Sequence, residues 1–258
     1  MKIIRPSVEL FNPGNPIKKI ETIARVCTGT EDKVGDDDSF CLALIKKGHM
    51  SPFEHARILT DKSAYPHQLQ AYGAVYRISY EDGLTAMNVR DFIALFPGIS
   101  SDDSYKELLE CVHAQRQASD FYTIKFIVDI GLSRELIRHR QMSFMERSTR
   151  YYGFKGGVEF VNPWWYLKKE GGEAYSAWQY HCAQTEKYYR HIIMAGEPKQ
   201  LARGVLPLST ATVLYMSGTR EQWIDVLKLR LGTGAHPAMK KLMSMVQPLI
   251  GIKDKEIQ

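Results

Sequence analysis

Apolar residues recur at two different periods along the first part of the chain. MKIIRPSVELF alternates around a proline and predicts a short, interrupted strand, closed by the turn sequence NPGNP. From Pro16 the spacing lengthens. Ile17, Ile20, Ile23 and Ala24 fall three and four residues apart, on one side of a helix that proline is suited to begin. A second helix is expected over Asp38–Lys47, with aspartates at its start and Gly48 to end it. Further on, Val89, Phe92, Ile93 and Phe96 of TAMNVRDFIALF share a helical face, as do Leu108, Leu109 and Val112 of YKELLECVHAQ.

TIKFIVDI (Thr123–Ile130) alternates cleanly, with Ile124, Phe126, Val128 and Ile130 on one face, and predicts a strand. It delivers the chain into a helix read from Leu132, on which Leu136 and His139 lie on one side and Arg134 and Arg138 on another. QMSFMERSTRY, after Arg140, reads as a turn or loop. GVEFVNPWWYL predicts a strand and a tryptophan-rich turn. Gly172 precedes a long helix whose stripe of Trp178, Cys182, Thr185, Tyr189 and Ile192 suits core or subunit contact. Pro198 starts a short helix into Arg203, ATVLYMS reads as a strand, SGTR as a turn and REQWIDVLKLRL as a helix. A last helix over His236–Ile250 carries Met239, Leu242, Met243, Val246, Leu249 and Ile250.

Composition adds bounds. A chain of 258 residues with 44% hydrophobic and 24% charged residues has enough apolar surface for one full core. The net charge of +5 suits anionic small molecules as well as nucleic acid. Cys27, Cys41, Cys111 and Cys182 are scattered without a CxxC, which argues against a zinc site or a disulfide framework. The chain shows no signal peptide and no apolar run of membrane-spanning length, so a soluble, cytoplasmic protein is expected.

The chemistry concentrates in Gly131–Phe154, GLSRELIRHRQMSFMERSTRYYGF, where Arg134, Arg138, Arg140, Arg147 and Arg150 lie among hydroxyls. Guanidinium forks match the oxygens of a phosphate monoester. The same charges would also serve a solvated basic face or a nucleic-acid patch. Arg230 falls near the middle of an apolar helical face formed by Trp223, Ile224, Val226, Leu227 and Leu231. A guanidinium there needs a partner, either an internal carboxylate or an anionic ligand. GHMSPFEHARI holds two histidines around a Ser-Pro-Phe-Glu turn, without HExxH or another compact zinc spacing.

Arg138-His139-Arg140, followed after seven residues by Ser148, with Glu146, Arg150 and Tyr151 around it, resembles the signature of the flavin-dependent thymidylate synthases, the ThyX family. That signature has an asparagine where this chain has Met145. His49, Ser51, Glu54 and His55 match the family's His-x-(Ser/Thr)-Pro-Phe-Glu-His element. The resemblance implies an α+β fold: one catalytic domain over residues 1–258 with a central, mainly antiparallel sheet flanked by helices. Shorter members run almost directly from this element to the strand before the arginines, so roughly 62–117 reads as a folded insertion.

The implied reaction is reductive methylation of dUMP to dTMP, with carbon from methylenetetrahydrofolate, electrons from NADPH, and FAD as mediator held between subunits of a homotetramer. No catalytic thiol is required. The dUMP site would involve Glu135, Leu136, Ile137, Arg138, Glu146, Arg147, Ser148, Thr149, Arg150, Arg203 and Arg230. Arg150 and Arg203 are the choice for phosphate, Ser148 for a place close to the pyrimidine, and Arg230 for activating the uracil ring. FAD contacts would include His49, Ser51, Glu54, Arg138, His139, Arg140 and Glu146, with Thr219, Arg220, Glu221 and Asp225 from a later segment. No metal is implied.

The chain departs from the pattern at several places. Glu135 stands where glutamine is usual and would repel phosphate unless Arg134 or Arg138 neutralises it. Thr219, Arg220 and Glu221 stand where Asn-x-Arg is expected, and Lys240 and Lys241 follow His236 where an acidic residue is usual, so His236 is given no role. Two other readings stay open: an FAD-binding relative with altered or lost activity, and a nucleic-acid-binding module.

Overall fold

A computed structural model of the chain describes residues 1–61, 79–81, 83–95, 101–167 and 171–257. The strands are β1 (Lys2–Ile4), β2 (Ser7–Leu10), β3 (Arg57–Thr60), β4 (Ser79–Glu81), β5 (Leu84–Asn88), β6 (Arg116–Gln117), β7 (Phe121–Asp129), β8 (Ser143–Glu146), β9 (Glu159–Val161) and β10 (Ala211–Thr219). The central sheet runs β2-β7-β10-β8, antiparallel throughout. Its long pair, β7 and β10, is in register from Ala211 opposite Asp129 to Thr219 opposite Phe121. A second antiparallel sheet runs β4-β5-β3-β6, and β1 pairs with β9 in parallel. The fold is therefore α+β with mainly antiparallel sheets, as the resemblance implies.

The central sheet is covered on both faces. On one, Ile124, Phe126 and Val128 of β7 join Leu214 and Met216 of β10 against Trp223 and Leu227 of the helix Arg220–Leu231 and Met239, Leu242 and Val246 of the helix Pro237–Leu249. On the other, Val213, Tyr215 and Met145 meet Ile23 and Val26. This explains why ATVLYMS is a continuous apolar run: a strand buried on both faces has no polar side to alternate with. The helix Pro16–Arg25, capped by the Asn15 side chain, also places Ile17 and Ile20 in the second core. That core takes in Phe53, Ile58, Phe92, Leu109 and Val112, so the described part of 62–117 is packed onto the same helix as the central sheet.

Several local expectations are corrected. The helix over Asp38–Lys47 is Ser39–Lys46, ended by Gly48 at φ +71. TAMN is not helical: Leu84–Asn88 is a strand paired with β3, and the helix starts at Val89, capped by Asn88. Phe96 lies outside the described residues. Ile130 opens a helix instead of closing the strand, because the Asp129 side chain accepts from the Leu132 amide at 2.8 Å. That helix stops at Leu136, so His139 is not on it. The segment read as loop contains β8, because Ser143–Glu146 takes its backbone partners from Ser217–Leu214. Sheet pairing outweighs the local turn preference of the sequence.

Candidate functional site

The arginine segment is a helix end, a turn, an edge strand and a second turn. Beyond Leu136 the chain tightens through Ile137 N–H to Ser133 O (3.0 Å) and His139 N–H to Leu136 O (3.1 Å), which leaves Arg138-His139-Arg140 in the turn. β8 then leads to Ser148, whose carbonyl accepts from the amides of Tyr151 (3.0 Å) and Tyr152 (2.8 Å). The Ser148 hydroxyl accepts from the Arg150 amide at 3.2 Å and so closes this turn. Position 145 is a core position: Met145 is buried against Val213 and Tyr215, with its sulfur 3.2 Å from the Cys27 thiol. A methionine suits that packing, which an asparagine amide would not.

Arg230 ends the helix Arg220–Leu231 with its side chain only 16% exposed. Its Nε donates to His139 Nε2 at 2.8 Å, one terminal nitrogen donates to the Glu135 carbonyl at 2.7 Å, and the other lies 3.5 Å from Glu135 Oε2. Glu135 Oε1 is 3.2 Å from His236 Nδ1. Burial, reinforced by the Arg230 charge, lowers the His139 pKa to about 4, so the ring is neutral and accepts from Arg230. The sequence expectation for Glu135 is thus corrected. Its neutralising partner is Arg230; Arg134 and Arg138 point to solvent instead.

Six of the remaining arginines divide into two groups. Arg147 is tied within the chain, bonded to Glu31 at 3.3 Å and stacked 4.3 Å from the Tyr152 ring. Arg220 is also tied, to Glu256 at 2.7 and 3.2 Å. Arg134, Arg138, Arg150 and Arg203 are exposed, and among the described residues none has a carboxylate within ion-pair reach. Arg203 reaches the Thr149 hydroxyl at 3.5 Å, and Arg150, in the same hydroxyl-bearing turn, holds its guanidinium over the Tyr151 ring at 5.2 Å. Glu146 faces inward and accepts from the Ser133 hydroxyl at 2.6 Å, while Leu136 is core and Ile137 is exposed.

The first histidine element forms a 3-10 turn, Ser51–His55. His49 and Ser51 are exposed; Glu54 pairs with Arg90 and accepts from Ser143 at 3.1 Å, which fastens this turn to β8. His55 is fully buried on Ser217 (2.7 Å), and burial lowers its pKa to about 3. In the later segment, Thr219 caps its helix with Gln222 in return, and Glu221 and Asp225 are exposed. Arg220 therefore meets a carboxylate of its own chain in this structure.

Ser133, Glu31 and Arg90 escaped the sequence reading, and His236 was given no role there. Each is a partner of a motif residue from a distant or neighbouring element, and only His236, at the start of the helix after Arg230, carried a local signal. Among the described residues no cluster of three or more His, Cys, Asp or Glu could hold a metal ion. No helix there is long and apolar enough to cross a membrane.

The family model described as thymidylate synthase complementing protein matches residues 63–250, running through the 62–117 segment and starting beyond the His49–His55 turn. Three curated relatives are similar over part of their length. A probable flavin-dependent thymidylate synthase of Paramecium bursaria Chlorella virus 1 is 29% identical over 44% of this chain and 58% of its own. The flavin-dependent thymidylate synthases of Aquifex aeolicus (strain VF5) and Synechocystis sp. (strain ATCC 27184 / PCC 6803 / Kazusa) are each 28% identical, over 52% and 49% of this chain and 46% and 66% of theirs. The chain thus spans less than two thirds of each relative. The crystal structure of a UMP/dUMP methylase, PolB from Streptomyces cacaoi, covers 96% of this chain and 90% of its own at 17% identity and a TM-score of 0.49, a likeness too loose to carry an assignment.

Proposed function

The chain belongs to the thymidylate synthase complementing protein family, and from that premise we propose that it is a flavin-dependent thymidylate synthase that converts dUMP to dTMP. The observation that carries this reading is the division among the arginines. Those tied to carboxylates hold the fold, whereas Arg134, Arg138, Arg150 and Arg203 keep exposed guanidiniums for an anionic ligand. Charge-assisted bonds from Arg150 and Arg203, beside the Ser148 and Thr149 hydroxyls, would hold the 5′-phosphate of dUMP. Ser148 would position the nucleotide beside the turn that it already closes.

A second group of donors would suit FAD, whose pyrophosphate needs cations and hydroxyls. Arg138, Arg140, His49 and Ser51 would hold it, with His139, Glu54, Glu146, Glu221 and Asp225 at the margins. When bound, the flavin supplies the transfer of reducing equivalents, drawn from NADPH, that turns a one-carbon unit from methylenetetrahydrofolate into a methyl group. Arg230 is the residue we assign to the uracil ring. Fixed by Glu135 and the neutral His139, it would stabilise negative charge on the ring without reorganising. We further propose that the protein works as a cytoplasmic homotetramer, with the exposed arginines completing the site across a subunit boundary, and that 62–117 is an insertion within the single catalytic domain.

The test is direct. The purified protein is loaded with FAD, reduced with NADPH, and mixed with dUMP and methylenetetrahydrofolate. The expected result is flavin reoxidation that depends on dUMP, with dTMP recovered as product. A protein that takes up no flavin, or whose reduced flavin ignores dUMP, would refute the assignment.

A further inference from the structure

A cavity of about 920 Å³ lies beside the Glu135–Arg230 pair. It is large enough for a small aromatic ligand, a size typical of binding clefts. Its walls are mainly Trp164, Trp165, Tyr166 and Trp178, closed by Leu132 and Leu208. The aromatic wall is a built surface. Trp164 and Trp178 meet edge to face at 6.1 Å, and Trp178 is oriented by its Nε1–H bond to Ser209 at 3.3 Å.

The polar groups at this cavity are mainly hydrogen-bond acceptors. They are the carboxylates of Asp129 and Glu135, the imidazole of His236 and the hydroxyls of Ser209 and Tyr166. Among the described residues no lysine or arginine lines it. Asp129 spends Oδ1 on the Leu132 amide, and burial pushes its pKa up. Glu135 presents Oε1 beside His236, whose ring stacks edge to face with Tyr166 at 6.3 Å. Flat aromatic walls with carboxylate acceptors recognise a flat ring bearing N–H donors, neutral or cationic, through stacking, cation–π attraction and charge-assisted hydrogen bonds. A phosphate or a carboxylate edge offers these acceptors no donor.

We propose that this cavity binds a planar nitrogen heterocycle whose edge carries adjacent N–H donors, through Glu135 and the tryptophan walls. The site shares Glu135 with the pair that fixes Arg230, and it does not depend on the thymidylate reading.

The chain has four tryptophans. Three line the cavity, and the fourth, Trp223, is fully buried in the main core, which gives an internal reference. The experiment uses the full chain labelled with 5-fluorotryptophan, followed by fluorine NMR. The probe is 2-aminobenzimidazole, a flat cyclic guanidine; the comparator is benzimidazole-2-carboxylate, the same bicycle with an anionic edge. The expected result is a saturable shift of the Trp164, Trp165 and Trp178 resonances with the probe, a stationary Trp223, and no saturable response to the comparator. Glu135→Gln should weaken the probe about 10-fold or more, through loss of a charged acceptor. Trp164→Ala should weaken it with Glu135 intact, so the proposal does not rest on one variant. It is overturned by absent binding, by equal binding of the comparator, by joint movement of all four resonances, or by unchanged affinity in both variants. A shift of the three wall resonances with protein concentration alone would also overturn it, showing that a second copy covers the cavity.

Discussion

Arg230 and His139, ninety-one positions apart, are joined by a 2.8 Å hydrogen bond in which the guanidinium Nε–H donates to imidazole Nε2. The bond requires a neutral ring, and the pKa lowered to about 4 by burial and the nearby guanidinium supplies one. Together with the Glu135 carbonyl and carboxylate it fixes the plane of Arg230. This is how an arginine is tolerated at the end of a helix that buries Trp223, Val226 and Leu227.

Arg230→Lys keeps the charge but cannot donate along three directions in one plane. We expect the variant to fold and bind flavin while dUMP-dependent flavin oxidation falls on the order of 10²-fold, as when one preorganised donor is removed. Turnover, flavin content and thermal unfolding are measured on one sample. Near-normal turnover in both Arg230→Lys and Arg230→Ala would reduce Arg230 to a structural ion-pair partner.

The sequence showed the long elements because their apolar periods are set by the faces they bury. Helix Pro16–Arg25, β7, β10 and the last two long helices were all legible in this way. It misplaced the end of the arginine helix and missed β8, since a four-residue edge strand owes its form to β10, sixty-eight residues away, and not to its own pattern. The motif arginines were legible too, but their roles were not. Whether a guanidinium is tied to a carboxylate depends on Glu31, Glu256 and Glu135 arriving from other elements, which no local spacing reveals.

That division makes a prediction. Arg150→Ala and Arg203→Ala should each weaken dUMP binding by about 10- to 100-fold, the range for a lost charge-assisted bond, and leave the melting temperature nearly unchanged. Arg147→Ala should do the reverse in stability, because it strips Glu31 of its partner and Tyr152 of its stacking cation. Calorimetric titration with dUMP beside thermal unfolding separates the outcomes. Stability loss in Arg150→Ala would show that its guanidinium serves the fold.

Gly29 offers a test of the same corner. Its φ is +68, and a β-carbon there would come within 2.4 Å of the Tyr152 ring, which stacks on Arg147. Gly29→Ala should therefore destabilise by about 1–3 kcal/mol, from backbone strain and overpacking together. A melting temperature equal to that of the parent would mean that Tyr152 moves aside without cost.

The cysteines should be dispensable for chemistry. Burial pushes the Cys182 thiol up to about 11 and raises Cys27 and Cys41 as well, the opposite of what a nucleophile needs. Cys111 is exposed. Iodoacetamide should label Cys111 first without loss of dTMP synthesis, and replacing all four by alanine should cost only packing. If a single Cys→Ala change abolished turnover in a folded, flavin-loaded protein, the chemistry would be thiol-dependent.

The two buried imidazoles set the response to acid. His55 titrates at about 3 in the folded chain, first because of burial and then because of the Lys19 charge, and His139 at about 4. In the unfolded chain both return to about 6.5. Below that value the unfolded state binds more protons than the folded one, so stability falls as pH drops from about 6.5 and levels off only below the folded values. For His55, which is fully buried, linkage gives roughly 2 kcal/mol lost between pH 7.5 and 5. His139, partly buried, adds in the same direction. The urea midpoint should therefore drop between these two pH values. His55→Gln, which keeps an amide for the Ser217 hydroxyl, should be less stable at pH 7.5 yet lose less on going to pH 5. A variant with the parent's full pH dependence would show that the loss arises elsewhere, and the buried ring would then have no part in it.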